Sequence, residues 1–217
     1  MKNGKKVKVI IIGAGGHARV VSSILNFSDY FEVVGFIDET INSKGEKVGQ
    51  LSVLGDHKLL PDLLKQGISN AIVALGDNKI RAKRFYQLVD LGFNLINAIH
   101  PKALIESGVR IGRGNVIAAG AIIGCYTEIG DNCIINTGAT IDHEAIIQDH
   151  IHIAPGSHIA GRVRIGPNTF IGIGANIKDY ITIGANVTVG AGAAVVKDIP
   201  DNNVVVGVPA RQIKSKK

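Results

Sequence analysis

Four of the seven histidines of this 217-residue chain fall between residues 143 and 158: His143, His150, His152 and His158. His143 stands in Asp142-His143-Glu144, with an acid on either side. A carboxylate bonded to one imidazole nitrogen fixes the tautomer and leaves the other nitrogen a better proton acceptor, which is the make-up of a general base. A second group of interest lies near the amino terminus. Gly13-Ala14-Gly15-Gly16-His17-Ala18 is a G-x-G-x-x-A loop, and Asp38 follows twenty residues after Ala18. Glycines there let a backbone approach an anionic ligand, a helix amino terminus receives it, and an acid at that distance suits a ribose hydroxyl.

The elements around the second group are consistent with it. Residues 7–12, Val-Lys-Val-Ile-Ile-Ile, read as a buried parallel strand, and an apolar helical run follows the loop from Arg19 to Leu25. Further strands are predicted at 33–37, 70–75 and 94–99, with helices near 58–65 and 78–91. About 100 residues supply one mononucleotide-binding half and not the two that clasp a dinucleotide, so a nucleotide or nucleotide-sugar site is expected in preference to an NAD site. Glycines needed only for a tight turn are the competing explanation of the loop.

The histidine cluster sits in a segment of another kind. From Ile105 to Val195 an Ile or Val recurs at every sixth position, sixteen times without a miss. Four positions later the residues are small or β-branched, as at Ala121, Thr127, Cys133, Ala139 and Ala145. Gly, Asn and Asp in between exclude a continuous strand. The period predicts a parallel β-helix with one short strand per hexapeptide and three faces per turn, so that residues 18 apart stack. At about 4.8 Å between strands, five turns give a prism about 24 Å tall. Glycines directly after the Ile or Val, such as Gly112, Gly130 and Gly172, suit tight corners on this reading. The core of such a prism excludes imidazole, so the four histidines are expected outside it or in its corners. Gly161 falls one turn after His143 and would leave space for a substrate beside the ring. Pro155, Ile173 and Ala191 form a second column, along which a long flexible ligand could lie.

Composition agrees with two domains built on different packing rules. The chain has no Trp, and of its four Tyr and six Phe only Tyr126, Phe170 and Tyr180 lie beyond residue 100. The 46% hydrophobic content supports a folded chain, not a disordered one. The formal charge of +6 resides in the ends: Lys2, Lys5, Lys6, Lys8, Arg211, Lys214, Lys216 and Lys217 are basic, while the stretch between is slightly acidic. No nucleic-acid recognition module is present, and binding to nucleic acid is not expected. No apolar run approaches the roughly 18 residues of a membrane span, and no signal-peptide core precedes the first strand, so a cytoplasmic protein is expected. Two cysteines, Cys125 and Cys133, are too few for a disulfide scaffold and lack metal-pair spacing.

Taken together, the Gly-x-Gly-Gly-His loop, the Ile-Gly hexapeptides, the His143-Glu144 pair and the ending Val206-Gly207-Val208-Pro209-Ala210 resemble the sugar O/N-acetyltransferases of the sialic-acid and bacillosamine type. The resemblance covers nearly the whole chain. It implies a Rossmann-like α/β half-domain over residues 1–102, a left-handed β-helix over 103–200, a carboxy-terminal tail over 201–217, a homotrimer with active sites between subunits, and acetyl-CoA as donor. By the same resemblance His143 is the catalytic base and Glu144 the acid that raises its basicity. His152 contacts the acetyl group, and Ile173 and Ala191 line the pantetheine arm, although the family often has Gly at the second. Gly15, Gly16, His17, Asp38, Glu39 and Gly76 match positions that hold the nucleotide-sugar, with Glu39 in place of a second Asp.

The reaction this resemblance implies is N-acetylation of the 4-amino group of a nucleotide-linked 4-amino-4,6-dideoxy sugar, with UDP favoured as the nucleotide. No metal and no nucleophilic cysteine are called for. The alternatives are O-acetylation of sialic acid and a zinc-dependent β-helix of the carbonic-anhydrase kind. Zinc needs three convergent ligands, whereas His152 and His158 fall on successive, diverging faces. A non-catalytic nucleotide sensor that uses the prism only to trimerise is a further alternative.

Overall fold

A computed structural model describes residues 6–39, 45 and 47–215 and divides the chain into two compact units, residues 1–100 and 101–217. The basic residues Lys2, Lys5, Lys216 and Lys217 lie outside the described residues.

In the first unit, β1 (Val7–Ile12) is followed by α1 (Gly16–Asn26) and β2 (Phe31–Ile37), then β3 (Lys47–Val48) and β4 (Leu51–Gly55). A 3₁₀ turn leads into α2 (Leu60–Lys65), after which come β5 (Asn70–Val73), α3 (Asn78–Leu91), β6 (Asn94–Leu95) and β7 (Ala98–Ile99). The sheet order is β3-β4-β2-β1-β5-β6, parallel except for the β3–β4 pair. β1 is central and buried, as a run of Val and Ile demands. The chain leaves it first toward β2 and later toward β5, so the topological switch point lies at its carboxyl end, where ligands of open α/β sheets bind.

The predicted elements are present with small changes. Strand β2 begins at Phe31 and not at residue 33. Helix α1 begins at Gly16, so the glycine loop itself forms its first turn. The stretch 94–99 carries two short strands, not one.

In the second unit, sixteen two-residue strands follow at six-residue intervals, from β8 (Leu104–Ile105) to β23 (Ala194–Val195), each ending on the Ile or Val of the repeat. Each pairs in parallel with the strand eighteen residues away, as Ile123 does with Ile141 and Ile141 with Ile159. Three ladders result, closing a triangular prism. The repeated Ile and the small residue four positions on both point inward, and from Ile117 to Ala193 nearly all are buried to within a few per cent. Full burial of one such Ile contributes on the order of 2 kcal/mol. The hydroxyls that enter the core are satisfied by carbonyls: Thr127 Oγ1 donates to Asp142 O at 2.9 Å, Ser157 Oγ to Gly172 O at 3.0 Å, and Thr169 Oγ1 to Gly184 O at 2.8 Å.

Two expectations change here. The glycines directly after the Ile do not turn the corners. Those with left-handed φ lie two positions further on, at Gly120, Gly138, Gly156, Gly174 and Gly192. Gly172 is needed for a different reason: a Cβ on it would stand 2.6 Å from Ala191 N and 2.7 Å from Gly190 C in the next coil. Nor is the segment after residue 200 a mere tail. β24 (Asn203–Val206) extends one ladder in parallel with Thr188–Val189, and β25 (Arg211–Ser215) folds back antiparallel on β24.

The histidines avoid the core interior as expected. His152 and His158 sit on strands with outward side chains, while His150 is buried in a corner, its Nδ1 2.9 Å from Asn132 Nδ2.

Candidate active site

His143 lies in the corner after β14 (Thr140–Ile141). Its amide donates to Asp142 Oδ1 at 2.8 Å, and its Nδ1 is 3.1 Å from Glu144 Oε2. An ionised carboxylate accepts only, so Nδ1 carries the hydrogen and Nε2 is left as the basic nitrogen. Glu144 Oε2 also accepts from Arg162 Nε at 2.9 Å and NH2 at 2.7 Å. These bonds, Arg162 foremost and then His143, hold the Glu144 carboxyl below its usual value. The imidazole packs on Gly161, where a Cβ would lie 2.7 Å from Nε2. Gly161 therefore makes room for the His143 ring itself and not, as the sequence suggested, for a substrate beside it.

A different edge of the prism carries the other predicted residues. His152 begins β16 (His152–Ile153). Its Nε2 lies 3.2 Å from Asn136 Nδ2, whose partner oxygen accepts the Thr137 amide at 2.8 Å, so the amide orientation makes Nε2 the acceptor. Its ring meets Phe170 edge-on at 5.2 Å. The corner after this strand bears Pro155, Ile173 and Ala191, with Ile173 60% exposed. Each is followed by a glycine beside which no atom lies within 4 Å (Gly156, Gly174 and Gly192). An exposed apolar column flanked by open backbone suits an extended, flexible arm. Because His143 lies in the corner after β14 and His152 on β16, a different face of the prism, a single chain does not set them side by side.

In the first unit the remaining residues gather at the switch point. Gly13, at φ +103°, bonds its amide to Ile37 O at 2.8 Å, and a Cβ on it would strike Leu75 and Ala74. Gly15, Gly16 and Gly76 have nothing within 4 Å of an added Cβ, so their backbones are open to a ligand. Asp38 Oδ2 accepts from the Ala14 amide at 2.7 Å, which ties the acid to the loop. Glu39 is engaged by Arg84 and His57. Burial, helped by the charge of Arg81, lowers the pKa of His17 from 6.5 to about 4 and keeps it neutral.

Two residues were missed in the sequence. Arg81 is 1% exposed and donates to Leu75 O, Gly76 O and Asn78 Oδ1, fixing the loop that carries Gly76. Its signal was its place on the apolar stripe of α3 with Phe85 and Leu88. Arg162 stacks one turn after Glu144, a position the eighteen-residue repeat already gave. Among the described residues no three His, Cys, Asp or Glu side chains are grouped as metal ligands are, and no helix is long and apolar enough to cross a membrane.

The fold is that of an acyltransferase of the hexapeptide class joined to a Rossmann-like half-domain. The PglD N-terminal domain family matches residues 8–88, and the bacterial transferase hexapeptide family, six repeats, matches residues 162–197. The chain is 41% identical to PerB of Caulobacter crescentus, whose structure is in complex with CoA and GDP-perosamine, with TM-score 0.88 over 95% of this chain and 97% of that one. It is 35% identical to the acetyltransferase domain of PglB from Neisseria gonorrhoeae in complex with acetyl coenzyme A, with TM-score 0.89 over 96% of this chain and 100% of that one. A UDP-N-acetylbacillosamine N-acetyltransferase of Bacillus subtilis is 36% identical over 117 residues, 51% of each chain, so the match spans about half the length of that curated relative. The chain belongs to the family of hexapeptide-repeat sugar N-acetyltransferases, and its second unit is a left-handed parallel β-helix.

Proposed function

We propose that the protein transfers the acetyl group of acetyl-CoA to the 4-amino group of a nucleotide-linked 4-amino-4,6-dideoxy sugar, with His143 as general base. The observation that carries this reading is the His143–Glu144 pair, in which Nδ1 is tied to a carboxylate and Nε2 is left to accept a proton. The neutral amine attacks the thioester carbonyl and Nε2 takes its proton as the C–N bond forms. The tetrahedral intermediate then expels CoA, whose sulfur receives that proton as the C–S bond breaks. General-base assistance of this kind is worth about 10² to 10⁴ in rate.

The nucleotide-sugar is received in the crevice of Gly15, Gly16, His17, Asp38, Glu39 and Gly76, with its anionic part at the amino terminus of α1. The pantetheine arm runs along Ile173 and Ala191, and His152 meets the acetyl group. His143 lies on one edge of the prism and His152 on the face that leads to another, which favours a homotrimer whose active sites are each shared between two neighbouring copies. A cytoplasmic location goes with this reading.

The family resemblance of Asp38 and the Gly-Gly-His loop favours a uridine nucleotide. PerB, which aligns over nearly the whole chain, was in complex with GDP-perosamine, and this supports a guanosine nucleotide as the second reading. A thiol-release assay with acetyl-CoA against UDP- and GDP-linked amino sugars and sialic acid separates these. Release is expected with one nucleotide-linked 4-amino sugar and not with sialic acid. In His143→Ala, kcat is expected to fall by about 10² to 10⁴ with the melting temperature unchanged. Turnover near that of the wild type at saturating substrate would remove His143 from the mechanism.

A further inference from the structure

Every corner of the prism needs one residue with left-handed φ, and the three edges fill that position differently. One edge uses glycine alone, from Gly120 to Gly192. A second uses Gly114, then Asn132, His150, Asn168 and Asn186. Gly, Asn and, to a lesser degree, His adopt this conformation readily. The third edge begins with Gly108 and then carries Tyr126, Glu144, Arg162 and Tyr180 at φ between 56° and 60°. For such side chains the left-handed conformation costs roughly 1–2 kcal/mol each. Residues kept at unfavourable backbone angles point to a role for their side chains, and this edge is the one that bears His143.

The side chains on it form a chain of hydrogen bonds. Arg162 NH1 donates to the Tyr180 hydroxyl, and its Cζ lies 5.4 Å from the centroid of that ring. From the same guanidinium, Nε and NH2 both reach Glu144 Oε2, the oxygen that also faces His143 Nδ1. The Arg162 amide donates to His143 O at 2.9 Å, so backbone and side chain fix the two residues together.

We propose that Arg162 is the positioning residue of the His143–Glu144 pair: braced on Tyr180, its guanidinium holds Glu144 Oε2 at the point where His143 Nδ1 meets it. The proposal rests on the reading of His143 as base. Its consequence is geometric and electrostatic together. The carboxylate keeps one rotamer, and Arg162, as the foremost cause, keeps it ionised below the usual carboxylate range. The other titratable groups on this edge are Asp142, which accepts from the His143 amide, Cys125 one coil earlier with Glu106 on its amide, Tyr126, and Lys178 and Asp179 just before Tyr180. None of them is among the causes acting on Glu144.

Removing the guanidinium frees the carboxylate to rotate and lets it protonate at higher pH. The second effect moves the acidic limb of the pH–kcat/KM profile upward, because a protonated Glu144 no longer accepts from His143 Nδ1. In Arg162→Met the plateau is expected to fall about tenfold and the acidic limb to rise by about half a pH unit or more. Arg162→Lys retains the charge as a point but loses the two-pronged hold, so its plateau falls while its limb stays within about 0.2 units of the wild type. Melting temperatures report folding, and Arg162→Gln reads the same limb should the Met variant not fold. A limb superimposable on the wild type in the uncharged variant overturns the proposal. The two readings fail separately: an active His143→Ala removes the base, whereas an inactive His143→Ala with an unshifted Arg162→Met limb removes only the role of Arg162.

Discussion

The imidazole of His143 rests on Gly161, whose missing side chain would stand 2.7 Å from Nε2 and 2.8 Å from Cε1. The nearest atoms belong to the far end of a side chain and not to backbone, so an added methyl displaces the ring while the coil stays in place. A misplacement of about 1 Å at a reacting group costs about 10² in rate. Gly161→Ala is therefore expected to lose about two orders of magnitude in kcat, with a melting temperature within a degree or two of the wild type. Steady-state kinetics beside calorimetry checks this; a variant of equal activity would mean that the ring does not work from this seat.

Two glycines of one corner, Gly172 and Gly174, are required for different reasons, and this predicts different costs. At Gly172 an added Cβ meets backbone of the next coil at 2.6 to 2.7 Å, and backbone in a stacked ladder cannot give way locally. At Gly174 there is open space, but φ is +65°. Gly174→Ala is expected to cost about 1–2 kcal/mol, the usual strain of the left-handed conformation. Gly172→Ala is expected to cost more, about 3 kcal/mol or above, as overpacking against rigid neighbours does. Denaturant melts of the two variants decide the order; an equal or reversed ranking would refute the distinction.

His17 gives the first unit a pH dependence whose sign follows from its lowered pKa of about 4 against 6.5 when unfolded. Between these values the unfolded chain binds the proton and the folded chain does not, so stability is full above pH 6.5 and is lost as pH falls toward 4. The loss is about 1 kcal/mol at pH 5.5. In His17→Asn this part of the acid sensitivity is expected to disappear, measured as the difference between unfolding at pH 7 and at pH 5.5. An unchanged difference would show that His17 is not held neutral by its surroundings.

The β-helix is legible in the sequence because its rule is local and repeated. An inward Ile every six residues and a small residue four further on leave one solution, and even the stacking partner of each side chain follows by counting eighteen. By that count Gly161 over His143 was visible, and Arg162 over Glu144 was one step away. What the count does not say is which way a side chain points into the space it shares, so Gly161 reads as substrate room in the sequence and as the seat of an imidazole in the fold. The glycines after each Ile show the same limit. Their place in the repeat marks a corner, but only the approach of the next coil distinguishes a residue chosen for φ from one chosen for lacking a Cβ.

The first unit obeys less periodic rules. The glycine loop, Asp38 and the helix behind them can be read as a phosphate- and ribose-receiving turn, since their spacing is set by one strand–helix–strand unit. That Asp38 ties down the Ala14 amide and that His17 is neutral beside Arg81 follow from packing between segments tens of residues apart. The sequence by itself determined the architecture, the shortage of aromatic rings in a core that admits only Ile, Val and small side chains, and the pairing of His143 with an adjacent acid. Tertiary structure alone decided the rest: that the His143 ring takes the space left by Gly161, and that a guanidinium eighteen residues away shares the carboxylate oxygen facing the base. Charge and hydrogen bonding act over a few ångströms of space, and the chain reaches those distances only once the coils are stacked.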